Sequence, residues 1–191
     1  MLDGALRALL PVEASQVLSD ALTEKGISFH FGQKVTSINT NGAGVSVKLS
    51  DGRALQADLV LSAVGLKPNT QLAQQAGIAS ERGIVVNASL ETSSQDVYAI
   101  GDCAEVCGLS LFYVMPLVAQ AKALAKTLSG DATQVRYGVM PVTVKTTLHP
   151  VSVYPPPASI KGQWQVLEQS PQGAAMTFVD DQGHIQGFAL T

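Results

Sequence analysis

Thr92-Ser-Ser-Gln-Asp-Val-Tyr-Ala-Ile-Gly-Asp102 sets an apolar run, Val97 to Ile100, directly before a glycine and an aspartate. Such a run, ended by glycine, predicts a strand covered on both faces, as in a parallel sheet flanked by helices. The same build occurs upstream in Asp58-Leu-Val-Leu-Ser-Ala-Val64, followed by Gly65-Leu-Lys-Pro-Asn69. Two strands of this kind predict an α/β chain whose ligands bind beyond the strands' carboxyl ends. Gly65 and Gly101 have no side chain, so a planar or phosphorylated ligand can approach the backbone closely. Asp102 then sets a carboxylate at the strand mouth, able to accept hydrogen bonds from ligand hydroxyls. A plain turn is the other reading of the same Gly-Asp pair.

Outward from this stretch, a helix pattern follows Met1 almost at once. Val12, Val17, Leu18, Ala21 and Leu22 recur at helical spacing between Pro11 and Gly26, which predicts a helix over Val12 to Lys25. Ile27 to Phe31 reads as a short strand. Lys34 to Asn39 and Val45 to Leu49 alternate around the turn-rich segment Thr40 to Gly44. Asp51-Gly52 signals a hairpin returning through Arg53 to Gln56, so a small antiparallel meander is expected. Asn69 is placed to cap a short helix to Ala76, ended by Gly77. Ile84 to Val86 reads as a strand, and Pro116 to Leu128 as a helix with proline in its first turn. After Tyr137, Val, Thr and Pro dominate, which predicts a β-rich segment. Phe188 to Thr191 stops inside a strand pattern, so a fragment is expected, cut at the C-terminus and also at the N-terminus.

Composition excludes several classes. Apolar residues make up 46% and charged residues 14% of the 191, against the usual ~25% charged, which excludes wholesale disorder. A net charge of −3 argues against a nucleic-acid partner. The longest apolar run, Leu111 to Ala119, contains Pro116 and falls short of the ~18 residues of a membrane span. No basic-then-apolar leader follows Met1, and Cys103 and Cys107 make no disulfide framework, so a reducing cytoplasmic setting is expected.

Residues 92–102 resemble the second flavin motif of the pyridine-nucleotide-dependent flavoprotein reductases with two dinucleotide-binding domains. Ala63-Val-Gly65, with Pro68 and Asn69, resembles the segment that ends the NAD-binding domain of that superfamily. The two motifs stand about 35 residues apart, in the family's order. Tyr113-Val-Met-Pro-Leu117, Met140-Pro-Val-Thr-Val-Lys-Thr146 and Gly-Asp-Cys-Ala-Glu105 resemble the rubredoxin–NAD reductase family, over essentially the whole chain. The resemblance implies an FAD enzyme that passes electrons from NAD(P)H to rubredoxin or a related small iron protein. It implies that residues 1–82 end an NAD-binding domain, 83–137 return to the FAD-binding domain, and 138–191 begin a C-terminal interface domain. It places Gly101, Asp102, Val114, Met115 and Lys145 at the flavin, and Ala63 and Gly65 at the nicotinamide nucleotide. Asp102 would meet the ribityl chain, the Val114 and Met115 amides the pyrimidine edge, and Lys145 the reduced ring.

One departure bears on all of this. No G-x-G-x-x-G occurs in the 191 residues, although the family uses one such loop for each dinucleotide. The chain alone is therefore expected to be inactive and not to retain FAD. A ferredoxin or flavorubredoxin reductase of the same superfamily is a second reading, and a non-catalytic remnant or interaction module a third. Cys103 and Cys107 read as ordinary thiols, and Lys145 equally as a solvated cation. Val114 and Met115 read as core side chains, Trp164 as core or interface packing. Glu13, Asp20 and Glu24 read as a solvated helix face. His30, His149 and His184 share no ligand spacing, so no metal site is expected.

Overall fold

The computed structural model describes residues 4–42 and 44–191. Its elements are α1 (Val12–Glu24), β1 (Val35–Asn41), β2 (Gly44–Leu49), β3 (Ala54–Ala57), α2 (Gln71–Gln75), β4 (Ile84–Val86), β5 (Ala104–Val106), α3 (Val114–Leu128), β6 (Val142–Val144), β7 (Val151–Tyr154), β8 (Gly162–Ser170), β9 (Gly173–Asp180) and β10 (Ile185–Leu190). They form two compact units, Met1–Ser62 with Pro141–Thr191, and Ala63–Met140.

In the first unit, Pro11 precedes α1 and Gly26 follows it at φ +88°, the left-handed conformation in which glycine ends helices. The meander forms as expected. β1 and β2 pair antiparallel with Ile38 opposite Val47, and β2 pairs β3 with Val47 opposite Leu55. Ala43, in the turn expected over Thr40 to Gly44, and residues 1–3, which include Met1, lie outside the described residues. The β-rich segment is a five-stranded antiparallel sheet in the order β6-β7-β10-β9-β8. Along β9, Ala174, Met176 and Phe178 are buried in strict alternation, the period of a sheet with one covered face. α1 covers that face, where Leu10, Ala14 and Leu18 share a core with Val151, Val153, Met176 and Ala189. Trp164 packs edge-on against Phe178 with ring centroids 5.6 Å apart, consistent with its reading as a packing residue.

The second unit is built on a parallel pair, β4 with β5, in register Ile84–Ala104 to Val86–Val106. Val86, Leu90, Ala99, Ala104, Val106 and Ala123 form its core. α3 starts at Val114, two residues before the proline expected to open it.

Several expectations are corrected. Ile27 to Phe31 is not a strand. It has no pairing partner among the described residues, and Phe29 and Phe31 stack on each other at 4.9 Å instead. Asp58 to Val64 is not a strand and pairs with nothing among the described residues, with Leu59 81%, Leu61 86% and Val64 95% exposed. A strand needs a neighbour to complete its ladder, and among the described residues none flanks it. Val97 to Ile100 makes one isolated bridge, Glu91 to Tyr98, and the Ala99 N–H donates to the Leu90 carbonyl. The buried strand lies further on, at β5, where the polar Glu105 hides it from an apolar-run reading. At α2 the residue before the helix is Thr70, not Asn69, and its side chain makes no capping bond.

The β9–β10 turn supplies a pH test. Asp180 accepts hydrogen bonds from the N–H groups of His184 and Gln182 and from Gln186 Nε2, and lies 3.6 Å from His184 Nδ1. The His184 amide bond first, then the Gln186 bond, holds the Asp180 carboxyl below the usual carboxylate range. A lowered folded-state pKa contributes stability that is present above the ordinary carboxylate pKa and lost as pH falls through the folded value. Asp180→Asn is therefore expected to lower the melting temperature near neutral pH, the gap to wild type closing as the solution is acidified. The fluorescence of Trp164, the only tryptophan, follows this unit's unfolding.

Candidate functional site

The site is assembled within the second unit, where the chain passes from Ile100 into β5. Ile100 is extended, and Gly101–Cys103 then makes one tight 3₁₀ turn. Gly101 is buried at φ +80°, a conformation that side chains resist, and a Cβ there would stand 3.3 Å from Leu117 Cδ1. Its N–H donates to Gln120 Oε1 at 2.6 Å, and Gln120 Nε2 donates to the Tyr137 hydroxyl at 2.7 Å. The turn thereby lies against the first turns of α3.

Asp102 is exposed, and its carboxylate accepts no hydrogen bond among the described residues. α3 begins after Tyr113 with no side-chain cap, so its first-turn N–H groups have no capping partner from that residue. Val114 is 71% exposed and Met115 is also exposed, which corrects the expectation that they are core side chains. The face of α3 that turns inward carries Pro116, Gln120 and Ala123 instead. The structure sets the Gly101–Cys103 turn against α3, at Leu117 and Gln120. The exposed Asp102 carboxylate can accept hydrogen bonds from a ligand, and the N-terminal N–H groups of α3 can donate them.

Ala63 and Gly65 are exposed on the unpaired segment, Gly65 at φ +112° with open space around it. Lys145 is exposed just past β6, in the first unit. Cys103 and Cys107 are free, and the Cys103 thiol donates to the Ile100 carbonyl.

Sequence reasoning missed three side chains here. The buried Glu105 carboxylate accepts the N–H groups of Arg82 and Gly83 at 2.8 and 3.0 Å. A Cβ on Gly83 would stand 2.9 Å from the Cys103 carbonyl and the Glu105 nitrogen, so the loop before β4 is drawn tight onto β5. Gln120 and Tyr137 form the relay behind Gly101, and burial pushes the Tyr137 phenol up while the Gln120 bond pulls it partly back. The one legible signal was a glutamine on the apolar, inward face of α3.

Residues 1–126 match the family model described as pyridine nucleotide-disulphide oxidoreductase. The chain belongs to the pyridine nucleotide-disulphide oxidoreductases. Members of this family use FAD and NAD(P)H, and the two motifs anticipated from residues 63–69 and 92–102 fall inside the matched range. Residues 134–191 match a second model, described as a rubredoxin binding C-terminal domain. Over 97% of its length this pyridine nucleotide-disulphide oxidoreductase chain is 46% identical to the rubredoxin-NAD(+) reductase of Alcanivorax borkumensis, of which it spans 49%. It is 42% identical to a nitric oxide reductase FlRd-NAD(+) reductase of Aeromonas salmonicida, spanning 48% of that protein. The chain thus spans about half the length of the curated relatives it matches. Its fold is that of part of a flavoprotein reductase with two dinucleotide-binding domains. It superposes on the ferredoxin reductase from Rhodopseudomonas palustris with a TM-score of 0.88 at 27% identity, covering 98% of this chain and 48% of that one. The fold also matches putidaredoxin reductase in its complex with putidaredoxin, with a TM-score of 0.83 at 21% identity, over 99% and 47% of the two chains. Among the described residues no helix is long and apolar enough to cross a membrane.

Glu105 gives this site a direct test. Glu105→Ala leaves the Arg82 and Gly83 amides without their acceptor and is expected to cost about 1.5–3 kcal/mol. Glu105→Gln keeps one acceptor oxygen and should cost about 1 kcal/mol. Urea unfolding followed by far-ultraviolet circular dichroism measures both.

Proposed function

We propose that this chain is part of an FAD-dependent oxidoreductase that passes electrons from NAD(P)H to rubredoxin or a related small iron protein. The observation that carries the reading is the Gly101–Asp102 turn lying against the uncapped first turn of α3. Those residues fit one part of a flavin. Asp102 accepts hydrogen bonds from the ribityl hydroxyls, and the backbone N–H groups of Val114 and Met115 face the pyrimidine edge, where the helix dipole favours negative charge. Ala63 and Gly65 let a nicotinamide nucleotide lie close to the backbone, and the resemblance assigns Lys145 to the reduced ring. When bound, FAD accepts a hydride and releases single electrons. Residues 1–82 are the end of an NAD-binding domain, 83–137 the returning part of an FAD-binding domain, and 138–191 the start of an interface domain. The rubredoxin binding match over residues 134–191 and the identity to two rubredoxin-NAD(+) reductases support rubredoxin as acceptor. The similarity to FlRd-NAD(+) reductases supports a flavorubredoxin partner as the second reading.

The pyrophosphate has no glycine-rich loop to receive it in these 191 residues. The purified chain is therefore expected to be colourless and to hold no FAD after gel filtration; a yellow protein with stoichiometric flavin refutes this. Joined to the N-terminal half of the Alcanivorax borkumensis relative, the chain should support NADH oxidation with rubredoxin as acceptor. Faster reduction of ferredoxin than of rubredoxin would contradict the proposed acceptor.

In that joined protein Asp102→Ala removes a charge-assisted bond worth roughly 1.5–3 kcal/mol, so FAD affinity should fall about 10- to 150-fold. Asp102→Asn keeps an acceptor oxygen and should lose less. Equal losses of melting temperature in apo- and holoprotein, with affinity unchanged, would make Asp102 a turn residue only.

A further inference from the structure

Gln120 is 2% exposed, on an inward face otherwise made of Pro116 and Ala123. A buried primary amide is costly unless it is hydrogen-bonded, and this one is bonded at both ends. Only a side-chain oxygen can accept the Gly101 N–H, so the amide's orientation is set: Oε1 toward Gly101, Nε2 toward the Tyr137 hydroxyl. The Gly101 amide is buried, a backbone N–H taken out of water needs an acceptor, and Gln120 Oε1 supplies it. The relay therefore ends on the peptide that immediately precedes Asp102. Nothing in the family match or the names of the relatives assigns a role to Gln120 or Tyr137.

We propose that Gln120 is a positioning residue for the cofactor turn: by tying the Gly101 amide to the Tyr137 hydroxyl it orients Asp102, and flavin affinity depends on it although it is itself buried. The inference rests on the reading of Asp102 as a flavin contact. Tyr137 acts through Gln120, so the effects of changing the two are not additive, as for members of one hydrogen-bond network.

Amide hydrogen exchange of the 191-residue chain tests the first half. Gln120→Met keeps the approximate shape and removes both bonds. The Gly101 amide should then exchange about ten-fold faster, while the amides of β4 and β5 change little. Ala123→Gly, which weakens the same helix, should instead speed all of these amides by one common factor. Tyr137→Phe should reproduce part of the Gly101 effect, add little on top of Gln120→Met, and serve alone if Gln120→Met does not fold. In Gln120→Met the Tyr137 phenol, followed by carbon NMR, should titrate at higher pH than in wild type. Exchange at Gly101 rising no more than in β4 and β5 overturns the proposal.

The second half is read in the joined protein as FAD affinity, where Gln120→Met should lose about ten-fold. A loss in Asp102→Ala but none in Gln120→Met overturns the inference and leaves the reading of Asp102 standing. No loss in either overturns that reading and the inference with it.

Discussion

A backbone N–H taken out of water has to find an acceptor, and at Gly101 the acceptor is the side chain of Gln120, 2.6 Å away. Much of the second unit follows from that bond. The Gly101 position suits a glycine because its positive φ strains other residues, and a Cβ there would crowd Leu117 at 3.3 Å. The turn it makes delivers the chain into β5, which pairs with β4 and buries Ala104 and Val106 against Val86 and Leu90. Glu105 draws the loop at Arg82 and Gly83 onto the same strand. The Asp102 turn is thus held from the helix side by one buried amide and from the sheet side by one buried carboxylate.

What was legible in the sequence was what is local. Helices α1 and α3 and the two antiparallel hairpins announce themselves through spacing, prolines and glycines within a few residues of one another. The Gly-Asp pair stood out for the same reason. The relay behind it did not, because Gly101, Gln120 and Tyr137 are 19 and 17 residues apart and meet only in the folded unit. β5 escaped because its central residue is a glutamate, and a polar residue inside a three-residue strand reads as loop. Its burial makes sense only once Arg82 and Gly83 are seen to supply two donors.

Asp58 to Val64 shows where pattern and structure part. Its composition is that of a strand covered on both faces, yet Leu59, Leu61 and Val64 face solvent. Periodicity states a preference, while a parallel strand exists only through neighbours that are distant in sequence. The described residues supply no such neighbour, so the segment stays unpaired with its apolar side chains uncovered. The exposure of three large apolar residues in one seven-residue stretch is of the kind that marks an interaction surface rather than a finished one. It is consistent with a chain that spans half the length of its relatives.

Asp102 and Glu105, three residues apart, divide two tasks that one carboxylate could not perform together. Glu105 is buried and its acceptor capacity is spent on two backbone N–H groups, which makes it a fastening. Asp102 is exposed and accepts nothing among the described residues, in a turn that packs against α3. An exposed carboxylate and a helix start without a side-chain cap call on different kinds of partner in a ligand. Hydroxyls answer the carboxylate and a carbonyl oxygen answers the helix amides. On the proposed reading, Asp102 meets the hydroxylated chain of a flavin while Glu105 keeps the turn in place.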